Sequence, residues 1–266
     1  MSPGSQISLP TFSPRAFAAF VWFLERYFAR HFDAVRVSRA GPPPEVAGSP
    51  TMVVANHPSW WDPLMFLYLQ ARTFEGRPAF GPIDADALAK YRLFTRLGAY
   101  GVERGTRRGA ARFLAVTRAL LDRPESVIWI TAQGEFVDPR ERPVRLRPGV
   151  AHAVWGRRDV AVVPLALEYP FWDERAPQAL ARFGEPLRWD PAKYARPAAF
   201  TQEVEARLEA TLDALAAEAR SRDAGRFETV LAGRAGVGGM YDRIRALAAA
   251  ARGRRFDPSH RGGRRV

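Results

Sequence analysis

Thr51-Met52-Val53-Val54-Ala55-Asn56-His57-Pro58-Ser59-Trp60-Trp61-Asp62-Pro63 changes character twice within a short span. Met52, Val53 and Val54 form an apolar, β-branched run that predicts a short buried strand. The run stops at Asn56 and His57. Pro58 has no N–H to donate, so the ladder cannot continue through it. Asp62-Pro63 then opens a helix, because Asp is a favoured N-cap and proline at the first helical position gives up only a donor without an intrahelical partner. His57 and Asp62 are therefore expected in one turn leaving the carboxyl end of a strand, where α/β folds bind ligands.

A neutral imidazole takes a proton from a hydroxyl as that hydroxyl attacks a carbonyl. A carboxylate beside it fixes the tautomer and stabilises the imidazolium that forms. Spacing alone leaves a second reading open, in which Asp62 only caps its helix and His57 is a strand-end histidine bonded to backbone.

The chain has 266 residues, enough for one large α/β domain with appendages. Apolar residues make up 47% and aromatics 12%, which excludes a disordered chain. There is no cysteine, so disulfides, thiolate nucleophiles and Cys-based metal sites are excluded. All the cationic side chains except Lys90 and Lys193 are Arg, and the net charge is +12. Such a surface favours anionic partners: lipid headgroups, coenzyme A or nucleic acid. No zinc spacing or helix-turn-helix pattern is found, and nucleic acid is not expected as a partner. No apolar run approaches the length of a bilayer span, and no signal peptide is recognised, so the expectation is a peripheral protein on the cytoplasmic face of a membrane.

Residues 1–12 read as a loose, polar start. Ser13-Pro14 opens a helix to about residue 31, with Phe17, Phe20, Val21, Leu24 and Phe28 at helical spacing, and Trp22, Phe23 and Tyr27 widening the apolar arc. This helix either packs on the core or lies in a lipid headgroup region, where aromatic bulk flanked by Arg belongs. Val35-Arg36-Val37 suggests a short strand. Further strands are expected near 127–132 and 160–167, with helices between them, and strands alternating with helices argue one α/β domain. Thr106 is placed to cap a helix running to about residue 121. Phe200 begins a long amphipathic helix. From Arg220 onward 12 Arg face only Asp223, Glu228, Asp242 and Asp257, a tail suited to an anionic membrane surface or to simple solvation. A short helix at 240–251 and a disordered end are expected there.

Asn56-His57-x-Ser59-x-x-Asp62 resembles the first motif of the glycerolipid (lysophospholipid) acyltransferase family, N-H-x-S-x-x-D after a strand. The resemblance covers roughly residues 48–190. Arg104, after a short strand, is similar in position to the family's second-motif Arg, which binds acceptor phosphate. Gln133-Gly134-Glu135-Phe136 follows a strand where the family has E-G-T-R. Gly134 fits, Gln133 stands in place of Glu, Glu135 offers a carboxylate two places later, and Phe136 replaces Arg. That last departure points toward a less anionic acceptor, although Arg140, Arg142, Arg145 and Arg147 lie close by in sequence. Val163-Pro164 resembles the fourth motif.

The resemblance implies a glycerol-3-phosphate acyltransferase-like fold, a mixed sheet surrounded by helices with an N-terminal amphipathic helix. The implied division is a membrane-associating segment at 1–45, an acyltransferase domain at 46–225 and a basic extension at 226–266. The implied activity moves a fatty acyl group from acyl-CoA or acyl carrier protein to a hydroxyl of a membrane lipid. His57 and Asp62 would be catalytic, and Asn56, Ser59, Arg104, Gln133, Gly134 and Glu135 would bind substrate. Backbone amides near the turn or near Gly134 would hold the oxyanion. No metal and no cofactor beyond the acyl donor are expected. A lysophospholipid acceptor, a glycosylated lipid or carotenoid acceptor, and a non-catalytic membrane-binding protein of the same fold are the alternatives.

Overall fold

The apolar run at 51–55 forms the centre of an eight-stranded sheet in the computed structural model, which describes residues 8–233. In chain order the elements are α1 (Pro14–His31), β1 (Ala34–Ser38), β2 (Thr51–Ala55), α2 (Asp62–Thr73), β3 (Ala79–Asp84), α3 (Ala85–Lys90), β4 (Ala99–Val102), α4 (Arg107–Leu121), β5 (Val127–Thr131), α5 (Gly149–Val154), β6 (Ala161–Glu168), β7 (Gln178–Phe183), α6 (Pro197–Ser221) and β8 (Phe227–Ala232). The strand order is β4-β3-β5-β2-β6-β7-β1-β8. β2 pairs in parallel with β5 on one side and β6 on the other. β3 and β4 extend the parallel run. β7 is antiparallel to β6, and β8 is antiparallel to β1, so the sheet is mixed.

Strands buried on both faces read as continuous apolar runs, because alternate side chains enter different cores. Val53, Ala55, Val127, Trp129, Val163 and Leu165 join the cluster under α1 and α2. Met52, Val54, Ile128, Ile130, Val160 and Val162 join the opposite cluster with residues of α4, α5 and α6. Burying a side chain of this size is worth roughly 1.5–3 kcal/mol, so these paired layers hold the middle of the sheet.

Ser13 caps α1 by accepting from Ala16 N–H (3.3 Å), and Thr106 caps α4 by accepting from Gly109 N–H (2.9 Å). Asp62 departs from its expected role as N-cap. Trp61 occupies the cap position without a side-chain bond, Asp62 is the first helical residue, and Pro63 follows it. The Asp62 carboxylate is thereby left for other donors.

Pro164 lies inside β6 rather than at its end. It sits where the neighbour of β6 changes. β7 pairs from Leu165 onward, while Val162 exchanges both backbone bonds with Leu187 (2.8 and 2.7 Å). The missing proline N–H falls at this gap, so no ladder bond is lost.

β1 and β8 lie outside the expected 46–225 domain, yet they form one edge of the same sheet. The sheet therefore draws on both flanking segments. Residues 8–12 are anchored too, since Phe12 bridges to Leu97 and packs on the core. The expected helix at 240–251 and the expected disordered end lie outside the described residues.

Candidate active site

Three adjacent parallel strands end together. β2 delivers Asn56-His57, β5 delivers Gln133-Gly134, and β6 delivers Leu167 and then Tyr169. His57 Nδ1 lies 2.7 Å from Asp62 Oδ2. The Asp62 side chain is wholly buried and that of His57 is 16% exposed. The carboxylate is thus shielded while the ring reaches the surface. A carboxylate can only accept, so this bond puts the proton on Nδ1 and leaves the Nε2 lone pair free. Asp62 Oδ2 also accepts from Ser59 N–H (3.1 Å), and Asp62 Oδ1 accepts from the Tyr169 hydroxyl (2.7 Å). Burial first, and then the Asp62 charge, push the Tyr169 hydroxyl well above its ordinary pKa, so it remains a donor.

The backbone of His57 is clamped from the β5 side. Its N–H donates to Gln133 Oε1 (3.0 Å), and its carbonyl accepts from Val137 N–H (3.0 Å). Phe136 lays its ring on the imidazole, with centroids 4.3 Å apart at 40°. The Phe136 ring is itself 63% exposed.

Asn56 is buried and commits its amide to Leu167, with Nδ2 donating to the carbonyl (2.9 Å) and Oδ1 accepting from the N–H (2.8 Å). It fastens the end of β2 to β6 and so sets where His57 leaves the sheet. Asn56→Ala leaves two buried backbone groups unpaired and is expected to cost on the order of 2–4 kcal/mol. Urea unfolding checks this, and a loss below about 0.5 kcal/mol contradicts it. Ser59 shapes the turn, with Oγ accepting from Trp61 N–H (3.3 Å).

Two of the amides near the turn and near Gly134 are engaged within the fold. Gly134 N–H donates to Thr131 O (3.1 Å), and Ser59 N–H donates to Asp62. Arg104 follows β4, three strand positions from β2 and so roughly 14 Å along the sheet edge. It donates through Nε to Asp84 Oδ2 (2.7 Å) and holds that carboxyl below its usual pKa. The structure brings Gln133 and Gly134 to the His57–Asp62 pair and leaves Arg104 apart. Glu135 is exposed.

Gly134 has φ +77°, and a Cβ there would fall on the Nε, Cδ and Cζ atoms of Arg147. The Arg147 side chain thus passes close over Gly134, and its own backbone N–H is held by Ala132 O (2.9 Å). Arg140 and Arg142 of the same run are neutralised by Asp138 (2.7 Å) and Asp213 (2.6 Å). Among the described residues Arg147 has no carboxylate partner.

Tyr169, Val137 and Arg147 as individual contacts of the site were missed from the sequence. For Tyr169 the available signal was its place immediately after β6, beside the turn from β2. On the other side of that turn, Trp60 and Trp61 stack (4.7 Å), Trp61 meets Tyr27 (5.6 Å), and Tyr27 stacks on Phe23 (5.4 Å). Trp22, Phe23 and Trp60 are exposed. Among the described residues no helix is long and apolar enough to cross a membrane.

The 1-acyl-sn-glycerophosphate (LPA) acyltransferase PlsC from Thermotoga maritima shares this fold, with a TM-score of 0.53 and 15% identity over 76% of this chain and 80% of that one. No curated protein matches the chain in sequence. The profile of the family described as Acyltransferase matches residues 26–168, more than half the chain, and the match takes in β1 through β6 together with the His57–Asp62 turn. With more than half of its length matched, the chain is a member of the acyltransferase family.

Proposed function

We propose that the protein transfers a fatty acyl group from a thioester, acyl-CoA or acyl carrier protein, to a hydroxyl of a membrane lipid, with a lysophospholipid such as 1-acylglycerol-3-phosphate as the acceptor. The observation that carries this is the His57–Asp62 bond at 2.7 Å, with Nε2 left as the free base. His57 Nε2 takes the acceptor proton as the hydroxyl oxygen attacks the thioester carbonyl. The carbon–sulfur bond then breaks, and the thiol leaves with the proton that His57 returns. Asp62 stabilises the imidazolium in between.

Arg147 supports a phosphate-bearing acceptor. Among the described residues it has no carboxylate partner, and it lies against Gly134, next to the residue that clamps His57. A guanidinium fork donates two parallel hydrogen bonds to phosphate. Arg147→Gln is expected to raise KM for 1-acylglycerol-3-phosphate roughly 10- to 100-fold with kcat little changed. An unchanged KM contradicts this assignment. The apolar ring of Phe136 over His57 favours a second reading, an uncharged acceptor such as a glycosylated lipid or carotenoid.

The exposed rings of Trp22, Phe23 and Trp60 support peripheral binding to a membrane, with the basic surface attracted to anionic headgroups. Mass spectrometry of products from acyl-CoA or acyl carrier protein, offered with each acceptor class, tests the reading. An acylated lysophospholipid supports it. Preferential acylation of the uncharged lipid moves the assignment to the second acceptor, and no acylated product with any pair overturns it.

A further inference from the structure

Oδ1 of Asp62 faces away from His57 and is wholly buried, yet it is not orphaned, because the Tyr169 hydroxyl donates to it at 2.7 Å. The carboxylate is thereby fixed at both oxygens. His57 and Ser59 N–H hold Oδ2, and Tyr169 holds Oδ1. The torsion that turns an Asp carboxylate is broad and soft. A group held at one oxygen alone therefore swings, and the line from Oδ2 to Nδ1 swings with it. Among the described residues His57 and Tyr169 are the titratable side chains hydrogen-bonded to Asp62.

We infer that Tyr169 is a positioning residue of the proposed acyl transfer, locking the Asp62 carboxylate so that it holds His57 in the tautomer and orientation of a general base; this rests on the acyltransferase activity proposed above. Tyr169 lies just beyond the stretch that the family profile matches, which ends at residue 168. Its place is set by this chain's own packing. It directly follows β6, and Asn56 ties Leu167 of β6 to the end of β2, so one strand pair fixes both the hydroxyl and the histidine it serves. The Tyr169 ring stacks on Phe32 (5.8 Å, 29°), and Phe32 meets Trp61, the neighbour of Asp62, edge-on (4.8 Å). The hydroxyl is therefore delivered from a rigid aromatic stack rather than from a free loop.

Tyr169→Phe keeps that stack and removes one hydrogen bond to a carboxylate. The expected result is a fall in kcat of roughly 10- to 100-fold with KM for donor and acceptor unchanged. In parallel, the ¹⁵N shifts of the His57 ring, assigned against His57→Ala, move from a single Nδ1–H tautomer toward a mixture. A purely structural role predicts a lower melting temperature with kcat and the tautomer unchanged in the folded fraction, and that result overturns the inference. Should Tyr169→Phe fail to fold, Phe32→Leu removes the stacked ring while leaving the hydroxyl, and the inference then requires a smaller fall in kcat with the same tautomer mixing. A change confined to KM overturns it as well. Wild-type protein without acyl transfer to any acceptor strikes at the proposed activity instead, and the His57 tautomer shift in Tyr169→Phe still tests the positioning role on its own.

Discussion

His57→Ala is expected to lower acyl transfer by roughly 10²–10⁴-fold, the usual contribution of a general base, while the protein stays folded. The two effects separate because of where His57 sits. Its ring reaches the surface, and Asp62 keeps Ser59 N–H and the Tyr169 hydroxyl as donors when the imidazole is gone. The fold therefore loses one hydrogen bond and the contact with Phe136, a cost of about 1–2 kcal/mol. Initial rates at saturating donor, read beside a urea unfolding curve, check both halves. A variant that retains more than about a third of the wild-type rate contradicts the role of His57 as base.

Asp62→Asn tests the other half of the pair and carries an effect of similar size. The amide fills the same buried volume, so the core is undisturbed. Its NH₂ group cannot replace Oδ2 without opposing Ser59 N–H, so the amide oxygen keeps Ser59 N–H and His57 Nδ1–H while the NH₂ donates to the Tyr169 oxygen. The imidazolium formed during transfer then lacks its counter-charge. A loss on the order of 10³–10⁴ is expected, the scale of a carboxylate-to-amide change beneath a catalytic histidine. The ¹⁵N shifts of the ring report the retained tautomer directly. If Asp62→Asn works within threefold of wild type, Asp62 serves only the turn and the helix.

The centre of this fold was legible because its signals are local. The apolar runs at β2 and β5 are uninterrupted, since both faces are covered, and the run at β6 continues through Pro164. His57 and Asp62 were legible for the same reason: a turn of a few residues brings them together. The function of Asp62 in that turn was harder to read. Asp before Pro looks like a cap, and only the fold shows that Trp61 takes the cap position and frees the carboxylate.

Tyr169 and Asn56 show the limit. Both partnerships span more than a hundred residues and exist because β2 and β6 are parallel neighbours in one fixed register, Ala55 opposite Leu165. No local pattern encodes that register. Asn56 looks like part of a ligand-binding motif in sequence, whereas its amide is committed to Leu167 backbone on both sides. The sheet edge was half legible. Val35-Arg36-Val37 suggested the strand that β1 becomes, whereas β8 comes from a segment that reads as a basic tail and becomes a strand by pairing with β1. The Gly134–Arg147 contact also depends on how the chain after β5 folds back, which places one Arg of a charge run on the site and leaves Arg140 and Arg142 in surface ion pairs.

The most direct test of the central claim is thiol release from a long-chain acyl-CoA, and from acyl carrier protein in a parallel arm, with detergent-dispersed 1-acylglycerol-3-phosphate and with His57→Ala run beside wild type. The account predicts release that requires the acceptor and falls at least a hundredfold in the variant. Release that is equal in the two proteins, or absent with both donors, contradicts it.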